Sequence, residues 1–517
     1  MTFTFDHSYA RLPERFYSRV APTKVREPRV VKVNRAVATL LGLDADFLAS
    51  PEGAQILAGN VVPPGADPIA LAYAGHQFGH FAGQLGDGRA ILLGEIVGTD
   101  GQRRDVQLKG AGRTPYSRGG DGRAALGPVL REYLVSEAMA ALGVPTTRAL
   151  AAVTTGDTVR REGPLPGAVF VRVAASHLRV GTFELLAARG DQEGLRVLTS
   201  YALARHYPAA AGVANEALAL LDGVITAQAE LVARWLGLGF IHGVMNTDNT
   251  AISGETIDYG PCALLDEYAP GKTFSSIDHA GRYAFANQPR IALWNLTRLA
   301  ETLVPAIATD PQQAVALATE RLAGFSAIFN AAHDRVQRAK LGLSLAEPDD
   351  AALLSDLLER LAANEVDYTL LFRRLCDAAG DPSHDEAVAA GFADPAAFHP
   401  WAQRWRQRLL REPDSPADRR AAMRRVNPAF IPRNHRVEEI IAAAVQRGDL
   451  TPFETFTRVL ERPYEDQPEF ASWREPPRRE QRVQATFCGT RARALAEDRE
   501  DPCAQARACA RASTWGR

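Results

Sequence analysis

Lysine is scarce in this chain. Among 517 residues only Lys24, Lys32, Lys109, Lys272 and Lys340 are lysines, and arginine carries the remaining positive charge. A lysine inside a motif therefore stands out. An excess of one charge sign is also missing: 59 basic residues face 61 acidic ones, for a formal net charge of -2. That balance excludes a protein devoted to coating nucleic acid, which carries a basic excess or stripe. No apolar run reaches the ~18 residues of a membrane-crossing helix. The N-terminus, MTFTFDHSYARLPERF, has neither an early basic cluster nor an apolar stretch of signal-peptide length. Neither a nucleic-acid nor a membrane partner is expected, and the expected compartment is the cytoplasm. Cysteine is sparse: Cys262, Cys376, Cys488, Cys503 and Cys509, with no two spaced C-x-x-C. This excludes a disulfide scaffold or zinc ribbon and fits reducing surroundings.

What is present is organised from strand-rich to helical. Asn34–Leu48 reads as one helix with an apolar stripe. The stretch Tyr73–Glu95 holds five glycines before an apolar run, Ala90–Leu93, that reads as a strand. Asp105–Lys109, Thr147–Val153 and Ala168–Ala174 read as further strands, and Gly127–Leu142 as a helix with Pro128 in its first turn. From about residue 181 the pattern turns helical, with a long apolar helix over Ala214–Leu236 and a short hairpin over Thr250–Gly260. The expected division is 1–180, strand-rich; 181–345, helical; 346–490, a further helical region; and 491–517, a poorly ordered tail rich in Ala and Arg.

The chemistry-bearing residues cluster near the first of these junctions. Gly83, Gly86 and Gly88 precede a strand and are followed at once by Arg89. Such glycines let backbone N–H groups approach a phosphate, or simply make a tight hairpin. Lys109 ends an apolar strand, and Glu132 lies 23 residues later on a helix. A strand lysine paired with a helix glutamate is how protein kinases hold the α- and β-phosphates; Glu137 is an alternative helix partner. His242–Asn249 reads HGVMNTDN, and Asp258-Tyr259-Gly260 begins nine residues after Asn249. Kinases place H-R-D-x-x-x-x-N before D-F-G, where the asparagine and the second aspartate hold magnesium and the first aspartate accepts the substrate proton. Here the position of that first aspartate is Val244, which cannot accept a proton, and Asp248 is the nearby carboxylate that can. His242 reads as a core histidine bracing the loop. Arg172 on a strand, Arg179 in the loop after it and Asp121 in GGDGR complete the set. Together these residues read as a nucleotide site with one or two Mg²⁺ ions.

The segments SYARLPERFY, YAGHQFGHFAGQLGDGRA, QLKGAGRTPYSRGGDGRAAL and HGVMNTDN…DYGP resemble the selenoprotein O family of pseudokinases, from residue 8 to about residue 490. The resemblance implies an α+β fold of protein-kinase-like, two-lobed form with an additional C-terminal helical region. It implies ATP bound in flipped orientation, with AMP, or in bacterial members UMP from UTP, passed to Ser, Thr or Tyr hydroxyls of proteins. Carried over by motif, the nucleotide contacts fall on Gly86, Gly88, Arg89, Lys109, Asp121, Gly122, Arg172, Arg179 and Asp258. Asn249 and Asp258 are the implied Mg²⁺ or Mn²⁺ ligands, the Lys109–Glu132 pair the phosphate orienter, and Asp248 the base. The implied partners are ATP and a protein acceptor; a monomer is expected, independently of the resemblance. The chain lacks the selenocysteine motif with which animal members of that family end, and it carries Cys503 and Cys509 beyond Cys488, where many bacterial members stop shortly after such a cysteine. Two other readings stand beside this one: an ordinary ATP-dependent kinase of a protein or small molecule, opposed by Val244, and a nucleotide-binding regulatory scaffold, opposed by the intact phosphate- and metal-holding set.

Overall fold

The computed structural model describes residues 3–486. The tail expected to be poorly ordered, and Cys488, Cys503 and Cys509, lie outside the described residues.

The fold is mixed α and β, built on an antiparallel sheet. Its strands are β1 (Tyr17–Arg19), β2 (Arg29–Val33), β3 (Ile69–Leu71), then, after a separate hairpin of β4 (Gly75–Gln77) and β5 (His80–Ala82), β6 (Ala90–Val97), β7 (Arg103–Lys109), β8 (Ala124–Ala125), β9 (Arg148–Arg160) and β10 (Pro164–Ala174). Their order is β1-β3-β6-β7-β10-β9-β2, with β8 paired to β10. The sequence DVQLK shows how alternation sorts the two faces. Val106 and Leu108 point into a core shared with Ile91, Leu93, Val153 and Val171 and covered by α1 (Arg35–Leu40), α2 (Ala45–Leu48) and α3 (Pro51–Leu57). Asp105, Gln107 and Lys109 therefore face the other way. Burial of each such valine or leucine contributes about 1.5–3 kcal/mol.

On that second face lies α4 (Leu126–Ala141), started by Leu126-Gly127-Pro128 and stopped before Gly143, whose φ is 78°. Leu130, Tyr133 and Leu134 of α4 pack on Ala149, Ala152 and Phe170 of the sheet. Two late helices, Asn434–Arg447 and Thr451–Leu460, return to the same cluster through Val437, Ile440, Phe453 and Phe456. After the sheet come α5 (Val180–Ala188), α6 (Gln192–His206), α7 (Glu216–Leu238) and, beyond a small ladder of β11 (Phe240–Ile241) with β12 (Ala263–Leu264), α8 (Gln288–Ile307). Asn215 caps α7 by accepting from the Leu218 amide at 3.1 Å, and Gly239, with φ 76°, ends it.

Three elements differ from the sequence reading. The stretch Asn34–Leu48 is two short helices, because Gly42 turns the chain at φ 70° and Asp44 caps a fresh start by accepting from the Asp46 amide at 2.9 Å. The stretch Thr250–Gly260 is not a hairpin. Its residues bridge outward instead, Ala251 to Arg179 and Thr256 to Thr146. The strand at Thr147–Val153 also runs on to Arg160, since β10 pairs with it through Pro164↔Arg160.

Candidate active site

Lys109 is the last residue of β7, and its Nζ lies 2.5 Å from Glu132 Oε2 on α4 and 2.8 Å from Asp258 Oδ1. Glu132 is held from a second side by Arg172 on β10, at 3.3 Å. Arg172 faces Gln107 across the ladder, which puts both side chains on one face and allows its guanidinium to donate to Gln107 Oε1 at 2.6 Å. Gln107 in turn donates to Asp87 Oδ2 at 2.9 Å. Glu137 does not join this group. It accepts from Arg148 at 2.7 Å and Asn34 at 2.6 Å, so the alternative partner for Lys109 is excluded.

Asp258 occupies the left-handed region with φ 70°, a conformation that costs a non-glycine residue of order 1–3 kcal/mol. Burial is the largest single influence and would raise its pKa, but the charge and hydrogen bond of Lys109 together with the Arg89 and Arg172 charges outweigh it and hold the carboxyl well below the usual range. Asp248 sits on a 3-10 turn, Thr247–Asn249, with opposite electrostatics. Burial pushes its pKa up to about 6, with Gln77 and Arg179 opposing the rise. Its Oδ2 accepts from Gln77 Nε2 at 3.0 Å, while its buried Oδ1 has no hydrogen-bond partner. The turn can pass this close to β4 only because residue 75 is glycine: a Cβ there would stand 2.8 Å from Asp248 Oδ1. Asn249 Nδ2 donates to the Val244 carbonyl at 3.1 Å. His242 is buried and braces the loop, its Nε2–H donating to the Ile257 carbonyl at 2.9 Å and its Nδ1 accepting from the Val244 amide at 3.3 Å.

Arg179 donates to the Asp248 carbonyl at 2.9 Å, stacks over Tyr73 at 4.5 Å and keeps its buried Nη2 without a hydrogen-bond partner. One cavity of about 610 Å³ brings together Gly86, Gly88, Arg89, Lys109, Asp121, Gly122, Arg172, Arg179, Asp248, Asn249 and Asp258. Every expected site residue except Glu132 lines it, and Glu132 lies directly behind Lys109. The two glycines before β6 serve packing as well as approach: a Cβ on Gly86 would meet Tyr116 Cγ at 2.4 Å, and one on Gly88 would meet the Tyr116 carbonyl oxygen at 2.8 Å. Asp121 is turned toward Arg161, 2.8 Å away, so its carboxylate is already engaged.

Several wall residues were not foreseen. Arg113, Arg118, Arg123, Arg160 and Arg161 join the expected arginines, and Asp87 lies among them. Asp87 stands inside the glycine-rich segment and Arg113, Arg118 and Arg123 inside the long polar loop, so their motifs carried a signal. Arg160 and Arg161 had none, because only the β9–β10 turn brings them in. The excess of guanidinium groups suits a polyphosphate, which Arg grips through paired hydrogen bonds.

The oxygen donors Asn249 and Asp258, beside the partnerless Asp248 Oδ1, suit a hard divalent cation rather than a soft one. Among the described residues no group of three or more His, Cys, Asp or Glu is arranged to hold a metal alone. An ion here would share its coordination with phosphate oxygens.

A cationic cavity with a lysine–glutamate pair and a separate buried carboxylate has the equipment of enzymes that transfer phosphorus-containing groups. Comparison with known proteins narrows that class. The family model for "Protein adenylyltransferase SelO" matches residues 1–461. A protein of Methylorubrum populi named protein nucleotidyltransferase YdiU is 63% identical over 494 residues, covering 94% of this chain and 99% of its own. Proteins of the same name in Bradyrhizobium diazoefficiens and Rhodopseudomonas palustris are 61% identical over 488 residues, with 94% and 99% covered. The chain belongs to the SelO family of protein adenylyltransferases.

Proposed function

We propose that the chain transfers AMP from ATP to Ser, Thr or Tyr hydroxyls of proteins, releasing pyrophosphate, and that UTP can replace ATP as donor. The observation that carries this reading is Lys109 in contact with both Glu132 and Asp258 while the base position of kinases is Val244 and the carboxylate in the same cavity is Asp248. Lys109, Arg172 and Arg179 grip the phosphates, and Gly86, Gly88, Arg89, Asp121 and Gly122 form the wall against the nucleotide. Asn249 and Asp258 hold Mg²⁺ or Mn²⁺, which when bound offsets phosphate charge. Asp248 takes the proton of the acceptor hydroxyl. The hydroxyl oxygen then forms a bond to the α-phosphorus, the α–β bridging P–O bond breaks, and its electron pair leaves with pyrophosphate. The guanidinium groups of Arg172 and Arg179 offset the charge that develops on the departing phosphates.

The same reading assigns a protein-kinase-like, two-lobed arrangement: 1–180 as the strand-bearing lobe, 181–345 as the helical lobe with the catalytic loop, and 346–490 as a further helical region. Lys109 on a strand, Glu132 on the helix packed against it, and Asn249 and Asp258 on the loops opposite support it. Among the described residues no helix is long and apolar enough to cross a membrane.

The test uses purified chain, Mg²⁺ and ATP labelled at the α- or the γ-phosphate, with label read on protein. Label from the α-phosphate only, lost in Asp258→Ala, is the expected result. Label from the γ-phosphate only would make the chain a kinase, and label from neither would leave a nucleotide-binding scaffold.

A further inference from the structure

Asp248 lies between two surfaces. One side lines the nucleotide cavity; on the other its Oδ2 accepts from Gln77, the last residue of β4. None of the β4–β5 hairpin residues lines that cavity. The hairpin is pinned to the Thr247–Asn249 turn at two more points: the His76 amide donates to Thr247 Oγ1 at 2.6 Å and the Phe78 amide donates to Asn246 Oδ1 at 3.1 Å, an oxygen that also accepts from Tyr283 at 2.6 Å. If Asp248 is the base, the hairpin that holds its Oδ2 through Gln77 is the surface bordering the acceptor hydroxyl on the side away from the cavity.

The outer face here is apolar and cationic. Phe81 is 47% exposed and His80 is exposed, on the outer strand of the hairpin. Behind Phe81, the His76 ring packs at 5.0 Å from it and edge-on to Trp294 of α8 at 5.3 Å. Two guanidinium groups pack on Trp294, Arg282 at 4.7 Å and Arg298 at 4.9 Å. Ile277, 49% exposed, lies in the same loop as Arg282. The neighbouring carboxylates are already engaged: Asp278 accepts the Arg282 and Tyr283 amides, Glu184 accepts from Thr247 and faces His76, and Glu301 pairs with Arg298 at 2.6 Å. Among the described residues Arg282 has no carboxylate partner, and its buried Nε has no hydrogen-bond partner.

We propose that this face — the outer side of the β4–β5 hairpin, the loop carrying Ile277 and Arg282, and Trp294 with Arg298 — docks the acceptor protein through acidic residues flanking its hydroxyl. The proposal deepens the nucleotidyl-transfer reading and rests on Asp248 as base. An aromatic surface with stacked arginines favours a carboxylate-bearing chain: the rings supply contact area and Arg282 supplies an uncommitted charge.

The experiment measures binding and transfer separately. Fluorescent peptides with one serine, flanked by aspartates or by lysines, are titrated into the full chain with Mg²⁺ and a non-hydrolysable ATP analogue. The aspartate peptide is expected to bind about ten-fold more tightly than the lysine peptide, and Arg282→Ala or Phe81→Ser to remove most of that preference. Affinity for the nucleotide analogue stays at the wild-type value in both variants, which shows them folded. Equal binding of the two peptides, or an undiminished preference in both variants, overturns the proposal. Transfer from α-labelled ATP is then read on the same peptides. Preferential binding without label sinks the transfer reading and leaves the docking surface standing. Label on both peptides alike sinks the docking surface and leaves transfer standing.

Discussion

Lys109 and Asp258 meet at 2.8 Å, although 149 residues separate them in the chain. The same ammonium reaches Glu132, so one lysine ties β7, α4 and the loop at Asp258 together. Its removal has two consequences. Phosphates lose a positive contact, and the buried Glu132 and half-buried Asp258 lose their shared counter-charge. Lys109→Ala is expected to lower nucleotidyl transfer by about 100- to 1,000-fold. It should also reduce stability, by less than the about 3–5 kcal/mol that a buried charge left alone costs, because Arg172 still faces Glu132. Lys109→Ala/Glu132→Gln should recover part of the stability and none of the activity. Label transfer and denaturant midpoints on the two variants decide this. An unchanged transfer rate in the single variant would take Lys109 out of the site.

Asp248 and Asp258 share one cavity but have opposite environments: burial raises the first, while Lys109, Arg89 and Arg172 together overcome burial in the second. That division is what the proposed roles require, a proton acceptor at Asp248 and a group kept ionised at Asp258. Asp248→Asn preserves shape and the approach of Gln77 but removes the basic oxygen. The expected outcome is a loss of about 10²–10⁴ in kcat with nucleotide affinity little changed. A comparable loss in affinity alone would assign Asp248 to binding instead.

The loop Gly110–Arg123 supplies much of the cationic wall and depends on its glycines. Gly122 has φ 67°, and a Cβ there would stand 2.1 Å from the Gly112 carbonyl carbon. Gly119 has φ 81° and open space around it. Gly122→Ala must displace backbone, so the KM for ATP should rise and the unfolding temperature fall. Gly119→Ala meets only the conformational cost of about 1 kcal/mol and should leave the KM near wild type. Equal effects would show that the loop is not held in this form.

Much of this site could be read along the sequence because local pattern encodes it. Lys109 ends an alternating strand, Glu132 lies in a helical period, and the spacing from His242 to Asn249 is contiguous. What could not be read depends on distant partners. Thr250–Gly260 has turn residues that suggest a hairpin, yet its bridges go to Arg179 and Thr146, set by tertiary packing. Arg161 reaches the cavity only because β9 and β10 run beyond the predicted strands, and Glu137 has the right helical position but finds Arg148 first. Gln77 lies within the glycine-rich segment, but its contact with Asp248 appears only once the hairpin is placed against the Thr247–Asn249 turn.

Away from the active site, Lys340 has a different fate from Lys109. It is 3% exposed, on the helix Phe325–Leu341, with its ammonium 4.0 Å from the Phe372 ring and 5.2 Å from that of Tyr368. Burial lowers its pKa from the usual 10.5 to about 7. The ring faces favour the charged form and return part of that cost. The unfolded chain therefore binds more protons than the folded one between about pH 7 and 10.5, so wild-type stability rises with pH across that window. Below pH 7 the lysine is charged in both states and its burial costs the full amount, on the order of 4 kcal/mol. Lys340→Met keeps the length and removes the charge. It should stabilise the protein most at pH 6, and the gain should shrink steadily toward pH 9, measured as the difference in denaturant midpoint from wild type. A gain that is the same at both pH values would mean that Lys340 is paired or hydrated in the folded state.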